Sequence, residues 1–105
     1  MANTFKSYPS SGVTTETTVY TGPSATQTTI IGMTVANTTA SNITCSVKLD
    51  DGSTSVFLIK DATILPGGAL VPVGGDQKVV VEAADTVKVS ASGTVDVLLS
   101  VLEVA

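Results

Sequence analysis

The chain of 105 residues is 43% hydrophobic and only 13% charged, with a net charge of −4 and no histidine. An ordinary soluble domain is about 25% charged, so we expect much of this surface to be apolar and covered by partners. Five basic residues against nine acidic ones exclude a basic footprint on nucleic acid or on an anionic membrane. The length fits one domain.

The first residues, 1–12, form a polar, Ser-rich segment without periodicity. This pattern predicts an N-terminal arm ahead of a β domain at residues 13–105. It lacks the central apolar segment of a signal peptide. With nothing of its own to pack on, the arm is expected to be ordered mainly by partners, with Phe5 and Tyr8 as anchors.

The body of the chain alternates apolar and polar residues with a period of two, as in NITCSVKLD at 42–50 and TVKVSA at 86–91. In TTIIGMTVAN, at 28–37, Gly32 predicts a bulge or a close backbone approach. DDGS at 50–53 predicts a hairpin. Together these signals predict an all-β, antiparallel β-sandwich or jelly roll of about seven to nine strands. The predicted core residues are Ile31, Val35, Ile43, Cys45, Val47, Val87, Val89, Val97 and Leu99.

Two glycine pairs bracket the uncharged run ALVPV at 69–73. A phosphate-binding loop is excluded, because GGDQK leads into the strand-like VVV rather than into a helix. Pro72 cannot donate a ladder hydrogen bond, which confines the run to a sheet edge. We expect Leu70, Val71 and Val73 to form an exposed edge that a partner covers.

The last run, TVDVLLSVLEVA, predicts a long strand with Val95, Val97, Leu99 and Val101 on its core face. The opposite face carries Leu98, Leu102 and Val104 and is too apolar for open water. These residues therefore predict a symmetric homo-oligomer, in which this face and the edge at 70–73 lie at contacts between subunits or with a larger particle.

Catalytic and metal-binding patterns are scarce. Histidine, the commonest general base near neutral pH, is absent, and Cys45 lies on an apolar strand face, which is typical of a buried thiol. No ligand set has the spacing of a metal site, so we expect no enzyme activity, no cofactor and no tightly bound metal. Calcium remains an alternative because several aspartates lie at or near turns: Asp50, Asp51, Asp61, Asp76 and Asp85.

The order of these runs resembles a known family. TTVYTGPSATQTTIIGMTVANTT, then NITCSVKLDDGST, the "PGG" strand entry, VEAADTVKVSAS and the closing VDVLLSVLEVA are similar to small virion structural proteins of tailed bacteriophages, notably phages of marine and photosynthetic bacteria. The resemblance implies a non-enzymatic virion component, assembled in the host cytoplasm: capsid decoration, neck or collar, or tail. Its implied partners are other virion proteins, such as major capsid, neck or tail proteins, and the resemblance favours a trimer as the homo-oligomer.

Two other function classes stay open from the sequence. A glycan-binding β-sandwich for host attachment would use the few aromatic side chains as sugar platforms: Phe5, Tyr8, Tyr20 and Phe57. A small hydrolase ranks third, because histidine is missing and the carboxylates are scattered.

Overall fold

A computed structural model of the protein describes residues 3–74 and 77–105. Within these two ranges the chain forms strands and no helix. The strands are, in chain order, β1 (Asn3–Val13), β2 (Thr17–Thr21), β3 (Gln27–Asn37), β4 (Ile43–Asp50), β5 (Ser55–Ile64), β6 (Ala69–Val73), β7 (Val79–Val81), β8 (Thr86–Ala91) and β9 (Val95–Val104). The predicted all-β sandwich of seven to nine strands is confirmed.

The strands form two antiparallel sheets that pack against each other. One sheet has the order β1–β9–β3–β6, and β7 also pairs with β3; the other has the order β2–β8–β4–β5. Along β3, β7 pairs with residues 28–30 and β6 with residues 33–36. Because successive side chains of a strand point to opposite faces, each sheet gives one face to the core and keeps one outer face.

The core consists mainly of β-branched side chains from both sheets. Most of the predicted core residues are buried: Val35, Ile43, Cys45, Val47, Val87, Val89, Val97 and Leu99. The prediction of Ile31 is wrong, because Ile30 is the fully buried residue and Ile31 is only partly covered. A β-bulge between Ile30 and Gly32 inserts Ile31 as an extra residue, and the alternation shifts by one position. The bulge predicted at Gly32 is thereby confirmed.

Residues 3–13 form the edge strand β1. Met1 and Ala2 lie outside the described residues. β1 pairs with β9 from Asn3, opposite Val104, to Val13, opposite Val95. The expectation that this segment has nothing in its own chain to pack on is therefore wrong. Its backbone completes the ladder of β9, whereas its side chains are mostly exposed, which is why the sequence shows no apolar period there.

The hairpin predicted from DDGS joins β4 to β5. Gly52 has a φ of 95°, and its N–H donates to Asp50 Oδ1 at 2.8 Å. Asp51 Oδ1 accepts from the N–H groups of Ser53 and Thr54 at 3.0 and 2.7 Å. The hydrogen bonds from Thr54 and Ser53 lower the pKa of Asp51. Both aspartates thus serve the turn.

Candidate interaction surface

The outer face of the five-stranded sheet is organised in three rows of residues that lie opposite one another on neighbouring strands. We call these rows together the apolar face. They are Phe5–Leu102–Thr29–Val80, Ser7–Ser100–Gly32 and Pro9–Leu98–Thr34. The two outer rows carry the large apolar side chains, whereas the middle row contains only small residues.

The apolar face exposes large hydrophobic side chains with almost no charge. Phe5 is 74% exposed, Val80 60% and Leu98 46%. Among the outward positions of β1, β9 and β3, all within the described part of the chain, Asp96 is the only ionisable residue. It lies at one end of the face, where its Oδ1 accepts from the N–H of Gly12 at 3.2 Å. Such a continuous uncharged surface is typical of a contact with another macromolecule.

A groove of about 510 Å³ opens on the apolar face beside Leu98. It crosses three strands, with walls from β1, β9 and β3. Its lining is mostly apolar or hydroxyl-bearing and consists of Pro9, Ser10, Ser11, Thr34, Ala36, Asp96, Val97 and Leu98. The groove is open to solvent, so its shape suits an inserted side chain from another chain better than an enclosed small ligand.

The structure brings together only part of the predicted contact set. Phe5, Leu98 and Leu102 belong to the apolar face, and Val104 continues it as a partly exposed residue of β9. Tyr8 instead turns inward: its ring meets Tyr20 edge-on, with centroids 4.9 Å apart. Tyr8 is therefore engaged within its own chain.

The predicted edge at β6 is divided between surface and core. Val71 is 64% exposed, as predicted, and Leu70 is partly buried against the core. The expectation of an exposed Val73 is wrong, because Val73 lies opposite Met33 and is fully buried. A register shift between Met33 and Val35 breaks the alternation along β6, so the side of each residue does not follow from simple counting.

A cluster of buried polar groups lies beneath the apolar face around Glu103. This cluster was not predicted from the sequence. Tyr8 and Tyr20 each donate a hydroxyl hydrogen bond to Glu103 Oε2, at 2.8 and 2.7 Å. Lys6 Nζ lies 3.5 Å from Oε1, and the hydroxyls of Tyr20 and Thr28 are 2.8 Å apart. Glu103 has the same parity as Val95 to Val101, so its inward position follows from the β9 alternation.

The Glu103 cluster is electrostatically satisfied. Burial acts to raise the pKa of Glu103, but hydrogen bonds from Tyr20 and Tyr8 and the charge of Lys6 outweigh it and hold this pKa below its ordinary value. Burial and the Glu103 carboxylate raise the pKa of both tyrosines. The pKa of each of the three groups is thus moved away from neutral pH, where general acid–base catalysis is most efficient. The cluster therefore fastens β1 and β2 to β9.

The outer face of the four-stranded sheet has the opposite character. Its central row is Thr18–Lys88–Lys48–Phe57, and we call this row with Lys60 the charged face. Lys48 pairs with Glu16 at 2.9 Å and Lys88 with Asp50 at 3.4 Å. The ammonium groups of Lys60 and Lys48 lie 5.2 and 5.9 Å from the centre of the Phe57 ring.

The remaining candidate groups are structural. Cys45 is 1% exposed, and burial raises the pKa of its thiol to about 11, so the thiolate is scarce at neutral pH. Asp61 sits at a bulge with a φ of 51°, and its N–H donates to Ser46 Oγ at 2.9 Å. Across residues 3–74 and 77–105, no three acidic or Cys side chains gather into a metal-binding group. Gly75 and Asp76, which belong to the second glycine pair and the calcium alternative, lie outside the described residues.

No family model, no curated protein and no solved structure matches the chain. In the part of the chain that the structure describes, no helix is long and apolar enough to cross a membrane.

Proposed function

We propose that the protein is a non-enzymatic structural component of a tailed-phage virion. It acts as a capsid decoration, neck–collar or tail accessory protein by binding copies of itself and other virion proteins. The observation that carries this proposal is the apolar face, with Phe5, Val80 and Leu98 exposed on a surface that holds one carboxylate. The sequence resemblance to small virion proteins supports the same assignment.

The apolar face supplies the chemistry that such a role needs. Covering three or four of its large side chains contributes roughly 1.5–3 kcal/mol each, less the cost of association and of ordering side chains. The Glu103 cluster holds β1, and with it Phe5, against β9. The protein thus presents an apolar sheet whose edge strand is tied to its neighbour, which suits a part that is bound permanently in a particle.

The placement of the aromatic residues favours this role over glycan binding. A sugar platform needs an open aromatic ring with polar groups beside it. Tyr20 is buried, and Tyr8 packs on it. Two lysine ammonium groups lie over the ring of Phe57 and occupy the surface on which a sugar would stack. Phe5 lies among uncharged side chains, opposite the apolar Leu102. A glycan array tests this alternative directly: we expect no binding above background.

The experiment that tests the virion role compares two variants in the phage that encodes the chain. Leu98→Glu places a charge on the apolar face, and Phe57→Glu places the same charge on the charged face. Purified particles are analysed by mass spectrometry and electron microscopy. We expect the unmodified chain and Phe57→Glu in particles at one location, and Leu98→Glu to be depleted at least tenfold. Particles that lack the unmodified chain would refute the proposal.

A further inference from the structure

The most exposed aromatic side chain of the protein, Phe5, stands at one end of the apolar face. It lies on the edge strand β1 opposite Leu102 and is 74% exposed. Burial of a phenylalanine is among the largest apolar contributions that one side chain makes to an interface. Within its own chain, Phe5 is left mostly in water, so it is available as a projecting anchor.

The groove beside Leu98 lies at the other end of the same face. On β1, Pro9 lines this groove and stands four residues from Phe5, which corresponds to about 13 Å along the strand. Ser7 and Ser100 lie opposite each other midway between them, in line with Gly32. A projection and a recess therefore stand at equal distances from a row of small residues.

This arrangement is complementary to itself under two-fold symmetry. An axis that runs along the Ser7–Ser100 row, in the plane between two facing sheets, brings each Phe5 over the partner's Pro9 and Leu98. We propose that a second copy of this chain packs its apolar face on the first, with Phe5 of each copy in the groove of the other. This inference rests on the proposed function, because it takes the apolar face as the docking surface. It adds that a second copy of the chain binds there.

The charge distribution favours a second copy as the occupant. Asp96 lies four residues from Ser100 on β9, about 13 Å from the proposed axis. Two-fold symmetry carries the two Asp96 side chains to opposite ends of the interface, farther apart than the Debye length of about 8 Å at physiological salt. Two identical faces can therefore pack together without charge repulsion. The small residues of the middle row let the two sheets approach closely.

The outer face of the whole five-stranded sheet is large enough for a stable pair. Its three long strands β1, β9 and β3, with the short strands β7 and β6 in line beside β3, are spaced at about 4.8 Å, span about ten residues and cover roughly 600 Å² per copy. The two copies together bury about 1,200 Å², which exceeds the roughly 1,000 Å² expected of a specific interface. A trimer, which the resemblance to virion proteins favours, needs two different surfaces in each contact, whereas here the projection and the recess share one face.

Solution mass with matched phenylalanine variants tests the pairing. We expect the purified full chain to have twice its mass of 10.6 kDa. Phe5→Ser removes two anchors from each pair and should weaken dimerisation at least a hundredfold. Phe57→Ser, on the charged face, should leave the dimer unchanged, and circular dichroism checks that both variants keep the β fold. A chain that is monomeric or trimeric at high concentration would overturn the inference.

Cross-linking tests the position of the axis. In the proposed pair, a cysteine introduced at Ser100 faces the same cysteine of the second copy, within reach of a thiol cross-linker that spans about 10 Å. The native Cys45 is buried and does not compete. Ser90→Cys, on the outer side of the four-stranded sheet, is the matched control. We expect Ser100→Cys to give a covalent dimer and Ser90→Cys to stay monomeric on a denaturing gel; the reverse result, or equal cross-linking, refutes the geometry.

The outcomes separate this inference from the proposed function. If the chain forms a two-fold dimer but is absent from particles, the virion role is refuted and the pairing stands. A chain that is incorporated into particles but stays single in solution sinks the pairing and leaves the virion role intact, with another virion protein on the apolar face.

Discussion

The two outer faces of the sandwich differ in how they meet water. Both are built from antiparallel strands with outward side chains in cross-strand rows. The charged face places Lys88 opposite Lys48 and balances them with Asp50 and Glu16. The apolar face places Leu98 between Pro9 and Thr34 without any balancing charge. One sheet thus exposes paired charges to solvent, whereas the other exposes large apolar side chains.

The few charged residues of the chain are therefore not spread evenly over its surface. Apolar atoms contribute much of any protein surface, so a single exposed leucine carries no information. What distinguishes the apolar face is that its two outer rows, with Phe5, Leu102 and Val80 in one and Leu98 in the other, are separated only by small uncharged residues. Substitutions can either remove the support beneath this face or give it the charges of the opposite face.

The largest effect is expected from the Glu103 cluster, which supports the apolar face from inside. Glu103→Ala leaves the Tyr20 and Thr28 hydroxyls buried beside a cavity, and an unsatisfied buried polar group costs about 1–3 kcal/mol. The two tyrosine hydroxyls of the cluster lose the acceptor that they share, and the Lys6 ion pair is lost as well. We therefore expect about 2–4 kcal/mol less stability in chemical denaturation. Dimerisation should weaken as well, since β1 carries Phe5. A loss below 0.5 kcal/mol would show that the cluster does not hold β1.

The same cluster gives stability a defined pH dependence. The pKa of Glu103 is lowered in the folded state, so its contribution is present above its ordinary value of 4.5 and is lost as pH falls through the lowered pKa. The pKa values of Tyr8 and Tyr20 are raised from 10.0, so their contribution is present below pH 10 and is lost at more alkaline pH. Thermal melts of the chain and of Glu103→Gln across this range should differ most between pH 5 and 9 and converge in acid. Parallel curves at every pH would contradict this assignment.

Whether the sequence predicts the position of a side chain depends on how regularly its strand pairs with the neighbouring strands, and not on composition. Period-two alternation identifies strands such as β4, β8 and β9 because one of their faces is buried. It fails at Ile31 and Val73, where register shifts move side chains to the other face. It also fails for β1, whose ordering comes from backbone pairing with β9, a contact between chain ends that no local pattern reports.

Only part of the apolar face follows from the alternation within a single strand. Leu98 and Leu102 stand out from the alternation of β9 alone. Their neighbours across the sheet depend on strand order, and the pairing of β9 with both β1 and β3 brings in Phe5 and Thr29. The inward position of Glu103 follows from the alternation of β9, but its partners Tyr8 and Tyr20 lie far away in sequence.

A smaller effect on stability, with a large effect on assembly, is expected when the apolar face receives a charged pair. Leu98 and Thr34 lie opposite each other on β9 and β3, so the double variant Leu98→Glu with Thr34→Lys imitates the charged face. Opposite cross-strand charges contribute about 0.2–1 kcal/mol, which offsets part of the lost leucine contacts. We expect a folded monomer within about 1 kcal/mol of the unmodified chain by denaturation. A dimer that persists would place the interface elsewhere.

The smallest effect is expected from the charged face itself. Lys48→Met removes the ion pair with Glu16 and the contact with Phe57, but keeps the apolar stem over the sheet. Half-exposed pairs of this kind contribute about 0.2–1 kcal/mol, and the repulsion from Lys88 is relieved at the same time. We therefore expect a change within about 0.5 kcal/mol, measured by denaturation at low and high salt, with the salt dependence reduced. A loss above 1.5 kcal/mol, or a change in solution mass, would mean that this face, too, carries a structural contact and that the two faces differ less than their charges suggest.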